Sequence, residues 1–151
     1  SGSSVCARYF ACPLVSLHTS MRATDSLVDH QSYFYAELSR LKAIMGEVRS
    51  GKPMLILLDE ILRGTNSKDK REGSIGLLKQ FVSHDVLLML ASHDVVLGEL
   101  EKKFPSAIRN YCFESEIENN ELTFDYTLHK GIANKANATF LMQQMGILPK
   151  A

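Results

Sequence analysis

The chain has 151 residues, 45% of them hydrophobic, which suffices for one domain, or part of one, with an apolar core. Lysine plus arginine equals aspartate plus glutamate at 17 each, and this zero balance argues against a main DNA-contacting surface, where a basic excess is expected. No secretory signal and no apolar span of about 20 residues occurs, which predicts a cytoplasmic protein without a membrane segment. Cys6, Cys12 and Cys112 lack zinc-type pairing, so buried reduced thiols are expected.

In chain order, Leu14 to Thr19 reads as a strand after Pro13. Gln31 to Val48 reads as a long helix, because Phe34, Leu38, Leu41 and Ile44 or Met45 recur at helical spacing on one face. Gly51-Lys52-Pro53 closes that helix and launches Met54-Leu55-Ile56-Leu57-Leu58, an apolar run that stops at Asp59 and Glu60. So short a continuous run fits a strand buried on both faces of a parallel sheet. The polar loop Ile61 to Asp69 follows, with Ser67 or Asp69 expected to cap a helix from about Lys70 to Ser83. A second apolar run, Val86 to Ala91, ends in Ser92-His93-Asp94. Val95 to Lys103 predicts a short helix closed by Pro105. The pattern then changes. Segments 110–117 and 121–129 flank Glu118-Asn119-Asn120, which reads as an antiparallel hairpin turn. His129 and Lys130 are expected to be a core or dimer element. A final amphipathic helix, Asn134 to Met145, stops at Gly146, with Phe140, Met142 and Met145 as its packing face. There is no internal repeat, low-complexity stretch or linker.

Chemistry concentrates at the two strand ends. In open parallel sheets, ligands collect at the carboxyl ends of the strands. Asp59 therefore stands where a nucleotide-hydrolysing site places a Mg²⁺ ligand, in the manner of a Walker B strand. Glu60, directly after it, could orient or deprotonate the attacking water. The bland reading of two such acids is the solvated end of a strand. His93 ends the following strand, where imidazole can hydrogen-bond a γ-phosphate or the attacking water. The β-α-β spacing predicts that the two ends lie near one another. Ser32 begins the long helix, and its minimal role is an N-cap worth about 1 kcal/mol.

These segments together resemble the ATPase domain of the MutS family, mismatch-recognition ATPases of the ABC superfamily. Leu57 to Asp69 (Leu-Leu-Asp-Glu-Ile-Leu-Arg-Gly-Thr-Asn-Ser-Lys-Asp) resembles the family's Walker B and D-loop, and Ala91 to Asp94 its switch histidine. His18 to Leu27 is similar to the segment before the signature, and Asp29 to Leu38 to the signature itself. The pattern continues through Thr127 to Ala138 and Met145 to Pro149, so the resemblance covers nearly the whole chain in order. Departures are Tyr33 within the usual Ser-Thr-Phe, and Leu62 and Lys70 where glycines are common.

The resemblance implies an α/β fold of the P-loop NTPase (ABC) type, a parallel sheet flanked by helices with an antiparallel hairpin near the C-terminus. It implies that Asp59 serves Mg²⁺, that Glu60 is the catalytic base and that His93 senses the γ-phosphate. Ser32, Asn66 and Ser67 would contact ATP across a homodimer interface, a helix N-terminus being suited to phosphate. Arg63 is expected as a structural pairing residue. DNA, mismatched or branched, would be contacted by other domains of the intact protein.

The phosphate loop Gly-x-x-x-x-Gly-Lys-Ser/Thr is not found, since Gly51-Lys52 is followed by Pro53 and precedes the wrong strand. The chain is therefore expected to be a C-terminal portion, residues 1–151, of a longer ATPase, cut after the Walker A region and inactive alone. The alternatives are a non-catalytic dimerisation or interaction module derived from an ABC-type ATPase, or another ABC-type ATPase of DNA repair or chromosome organisation. The last usually carries a Leu-Ser-Gly-Gly signature, which this chain lacks.

Overall fold

The computed structural model describes residues 4, 6–21, 33–118, 121–133 and 137–149, and divides into two compact units, Ser1–His93 and Asp94–Ala151.

In the first unit, β1 (Ser16–Ser20), β2 (Met54–Asp59) and β3 (Leu87–Ala91) form a parallel sheet in the order β1-β2-β3. Ile56 lies between His18 and Leu88, and Asp59 opposite Ala91. Two helices make the crossovers that parallel strands require, α1 (Tyr33–Val48) and α2 (Ser67–Val82). Alternation along β2 divides the sheet into two unlike faces. Met54, Ile56 and Leu58 are buried with Leu41, Ile44 and Val48 of α1 and Phe81 of α2, and Leu88 and Leu90 pack against the same cluster. The opposite face carries Leu17, Leu55 and Leu87 in one row and Thr19, Leu57 and Met89 in the next. There Leu17, Leu87 and Met89 are each 60% exposed. The expectation that the Met54–Asp59 strand is buried on both faces is thus corrected: one face is covered and the other is open.

The helix faces also need correcting. α1 buries Glu37, Leu41, Ile44 and Val48, and Phe34 is half-buried against the core. Leu38, expected on the buried face, is exposed. Position 37 takes the inner place because its carboxylate finds backbone donors there. Helix α2 begins at Ser67, three residues before the expected start, and its cap is neither Ser67 nor Asp69. Asn66 Oδ1 accepts from the Asp69 amide at 3.0 Å, while Asn66 Nδ2 donates to Asp69 Oδ2 at 2.6 Å. Asn66 thereby satisfies an amide that the first turn of a helix leaves without an internal partner.

In the second unit, α3 (Val95–Gly98) and α4 (Leu100–Lys103) are single turns, with Asp94 Oδ1 capping α3 through the Val96 amide at 3.0 Å. The expected hairpin is present: β5 (Ser115–Glu118) pairs antiparallel with β6 (Glu121–Phe124), and β4 (Tyr111–Cys112) with β7 (His129–Lys130). Residues 119 and 120 of the expected turn lie outside the described residues, as do residues 134–136 of the expected final helix. α5 (Ala138–Gln144) is closed by Met145 and Gly146, the latter with φ +72°; the Ile147 amide donates to Met142 O at 2.8 Å and the Gly146 amide to Gln143 O at 3.2 Å. That pair of bonds is a Schellman stop, for which glycine has no Cβ penalty. Met145 is exposed rather than packed, and His129 and Lys130 are exposed too. The expectation of buried thiols also fails, since Cys6 and Cys12 are exposed and Cys112 is half-buried. Among the described residues, no helix is long and apolar enough to cross a membrane.

Candidate functional site

The carboxyl end of β2 and the turn after it form the site. Asp59 is the last residue of β2, and Glu60 remains tied to the sheet because its amide donates to Ala91 O of β3 at 2.9 Å. The chain then turns sharply. Glu60 has φ +49° and Leu62 φ +59°, left-handed conformations that residues bearing a Cβ resist. Such backbone is stored only where its surroundings over-determine it. Leu62 stands at one of the two positions where the resemblance led us to expect glycine, and its backbone has the conformation glycine adopts freely.

Three sets of contacts hold this turn. Arg63 Nε donates to Glu60 O at 3.0 Å, and Arg63 Nη2 to Asp59 O at 3.4 Å. From α1, Glu37 Oε1 accepts from the Leu62 amide at 2.5 Å and Oε2 from the Arg63 amide at 3.2 Å. Phe34 closes against Gly64, where an added Cβ would meet Phe34 Cβ at 2.7 Å. Leu62 is buried and faces Gly73 of α2 in the same way.

The acids are not bare. Arg63 reaches Asp59 Oδ2 at 3.4 Å and Glu60 Oε2 at 3.3 Å, as a pairing residue would, and Lys70 Nζ stands 3.8 Å from Glu60 Oε2. His93 Nε2 lies 3.8 Å from Glu60 Oε1, too far for a hydrogen bond, and its side chain is 95% exposed. Side-chain exposure separates the acids: Asp59 is 42% exposed and Glu60 20%. Asp59 is the more open of the two, and Glu60 is confined among three potential cations.

The structure therefore brings together Asp59, Glu60 and His93, with Asn66 and Ser67 on the same turn-to-helix segment. Ser32 lies outside the described residues. Sequence reasoning missed Glu37, and treated Lys70 only as a departure. The signal for Glu37 was slight: a carboxylate three residues from Phe34 and four from Leu41, on the stripe that α1 buries.

Around the acids is a shallow recess lined by Ser20, Met21, Tyr33, Glu37, Arg40, Asp59 and Glu60. Its oxygen donors suit a hard cation. Magnesium characteristically keeps several waters and takes one or two carboxylates plus substrate phosphates. No group of three or more His, Cys, Asp or Glu side chains is gathered for a metal among the described residues. Asp59, the more open carboxylate, is the donor such an ion would take here.

The whole chain, residues 1–151, matches a family model described as MutS domain V. It is similar to the DNA mismatch repair protein MutS of Thermotoga maritima, 27% identical over 147 residues, covering 97% of this chain and 18% of that protein. The corresponding protein of Thermotoga neapolitana is 27% identical over 136 residues, covering 89% of this chain and 17% of its own length. That of Ruminiclostridium cellulolyticum is 31% identical over 130 residues, 84% of this chain and 14% of its own. The chain thus spans less than a fifth of the length of the curated relatives it matches.

Proposed function

The chain belongs to the MutS domain V family, and from that premise we propose that it is the nucleotide-hydrolysing portion of a longer DNA mismatch repair ATPase of the P-loop, ABC type. The observation that carries the reading is the acid pair at the carboxyl end of β2, beside the end of β3 that bears His93. That is the end of a parallel sheet at which phosphates and their metals are bound.

Asp59, the more exposed acid, would hold Mg²⁺, directly or through water. The metal, when bound, neutralises charge on the β- and γ-phosphate oxygens. Glu60 orients a water in line with the γ-phosphate and takes its proton as the new P–O bond forms and the bond to the β-phosphate oxygen breaks. His93, exposed on the flank of Glu60, is free to swing toward the γ-phosphate. Asn66 and Ser67 open α2, where backbone amides and the helix dipole favour an anion; with Ser32 they would complete a composite site across a homodimer. Mismatched or branched DNA would be engaged by other parts of the intact protein, consistent with the zero charge balance of this portion. The apolar rows on the open face of the sheet are what a further layer of that larger fold would cover.

Turnover of ATP by the full-length protein tests the reading, wild type against Glu60→Gln, with the 151-residue chain assayed beside them. Expected are steady turnover in the wild type, loss by about a hundredfold or more in Glu60→Gln, and none from the chain alone. Normal turnover in Glu60→Gln would remove Glu60 from the chemistry and favour a non-catalytic interaction module.

A further inference from the structure

We propose that Glu37 is a positioning residue for this site, the brace that holds the 60–64 turn so that Glu60 faces the reacting water. The inference rests on the hydrolytic reading of Glu60 given above.

Glu37 lies on the core stripe of α1 and is 8% exposed, in a place where an aliphatic residue would ordinarily fill the space. A buried carboxylate is costly unless its oxygens are satisfied, and both are, by consecutive amides 25 and 26 residues away. Those amides belong to Leu62 and Arg63. Leu62 itself is left-handed, at φ +59°. The carboxylate ties this turn to α1, its two acceptors taking two successive N–H groups.

That geometry reaches Glu60 by short links. Arg63, whose amide Glu37 binds, donates from Nε to Glu60 O and contacts Glu60 Oε2 at 3.3 Å. Glu60 is itself left-handed and fixed on its other side by Ala91 of β3. The turn is held at one end by the sheet and at the other by α1, and Phe34 against Gly64 is a second point of attachment to the same helix. Release of Glu37 would leave the sheet contact intact and let residues 61–63 relax. The recess and Asp59 would remain while the direction of the Glu60 carboxylate changed.

The discriminating variant is Glu37→Gln in the full-length protein. Glutamine has nearly the same volume but one acceptor, so its amide nitrogen must face one of the two N–H groups. We expect kcat for ATP hydrolysis to fall about tenfold or more, since small displacements of a reacting group are costly to rate, with KM for ATP within about twofold. Glu37→Asp keeps both acceptors on a shorter arm and should recover part of kcat. Gly64→Ala moves the same turn from the Phe34 side without touching Glu37, and should reproduce the kcat loss if Glu37→Gln folds poorly. Unchanged kcat in Glu37→Gln overturns the proposal, as does a parallel loss of kcat, ATP affinity and melting temperature with no recovery in Glu37→Asp. Glu60→Gln in the same series separates the failures. If it is inactive while Glu37→Gln is normal, only the brace is wrong; if it is active, the site reading falls and the brace with it.

Discussion

The two units of the chain are stabilised by different means. In the first, a continuous apolar cluster joins β2 to α1 and α2, with Ile56 fully buried at its centre. In the second, only Leu97 and Leu100 are buried hydrophobics among the described residues, and polar links do more of the organising. Asn110 illustrates this: its side-chain Nδ2 donates to Gly98 O at 2.7 Å, its amide to Glu101 Oε2 at 3.0 Å, and its carbonyl accepts from Gly131 at 2.9 Å. Burial gives stability in proportion to area, whereas each hydrogen bond contributes only about 1 kcal/mol net. The first unit should therefore be the more resistant to opening, and the second the more sensitive to local geometry.

The largest effect expected is from Ile56→Ala, which empties the centre of the first core and should cost about 2–5 kcal/mol. Hydrogen exchange would show lost protection across β1, β2 and β3. If residues 94–149 lost protection to the same extent, the two units would unfold as one and the contrast would fail.

Next is Gly98→Ala in the second unit. A Cβ there would lie 2.5 Å from Ile132 Cδ1 and 2.7 Å from Ile132 Cγ1, and the same residue's carbonyl accepts from Asn110. Overpacking of this kind costs about 1–3 kcal/mol. Exchange protection at Gly131, whose amide bonds Asn110 O, should fall while that of β2 stays the same. Asn66→Ala follows, at about 1 kcal/mol for loss of an N-cap. It should fray α2 at Asp69, read as faster exchange of the Asp69 amide, without disturbing the core around Ile56.

The contrast also governs what could be read from sequence. The Met54–Asp59 strand was legible because a short apolar run stopping at two acids fits little besides a strand leaving a core; β3 followed from a similar run, and β1 from the segment after Pro13. The hairpin was legible from turn chemistry, which is local. What escaped were features decided by which partner a side chain meets, distant or local. Glu37 displaced Leu38 from the buried face of α1 because its acceptors meet their donors in a turn 25 residues on. Asn66, not Ser67, caps α2 because its side chain can both accept from and donate to Asp69. The open face of the sheet could not be told from a covered one, since Leu55 and Leu57 are as apolar as Ile56 and Leu58. Of the candidate site, the positions of Asp59, Glu60 and His93 at neighbouring strand ends were foreseeable from β-α-β spacing. The left-handed turn and its brace were not, because Leu62 disguises a backbone conformation that glycine would have signalled.

The smallest effect is electrostatic and lies in the second unit, at a charge pair that solvent screens. Asp125 Oδ1 accepts from the Thr127 amide at 2.9 Å, and Oδ2 stands 2.9 Å from His129 Nε2. The Thr127 backbone bond, followed by the bond to His129, favours the ionised carboxylate and holds its pKa below the ordinary aspartate value. A lowered folded pKa means that the unfolded chain binds the proton first as pH falls. The contribution to stability is therefore complete above the ordinary aspartate pKa and is lost as pH drops through the lowered folded one. Carboxyl NMR titration should place the Asp125 midpoint below the ordinary aspartate value. Asp125→Asn should flatten the acid limb of the second unit's stability while leaving the first unit's unchanged, since an exposed pair contributes little at neutral pH. A midpoint at or above the ordinary value would mean that the Thr127 turn opens in solution, and that the second unit's local geometry is looser than its polar links suggest.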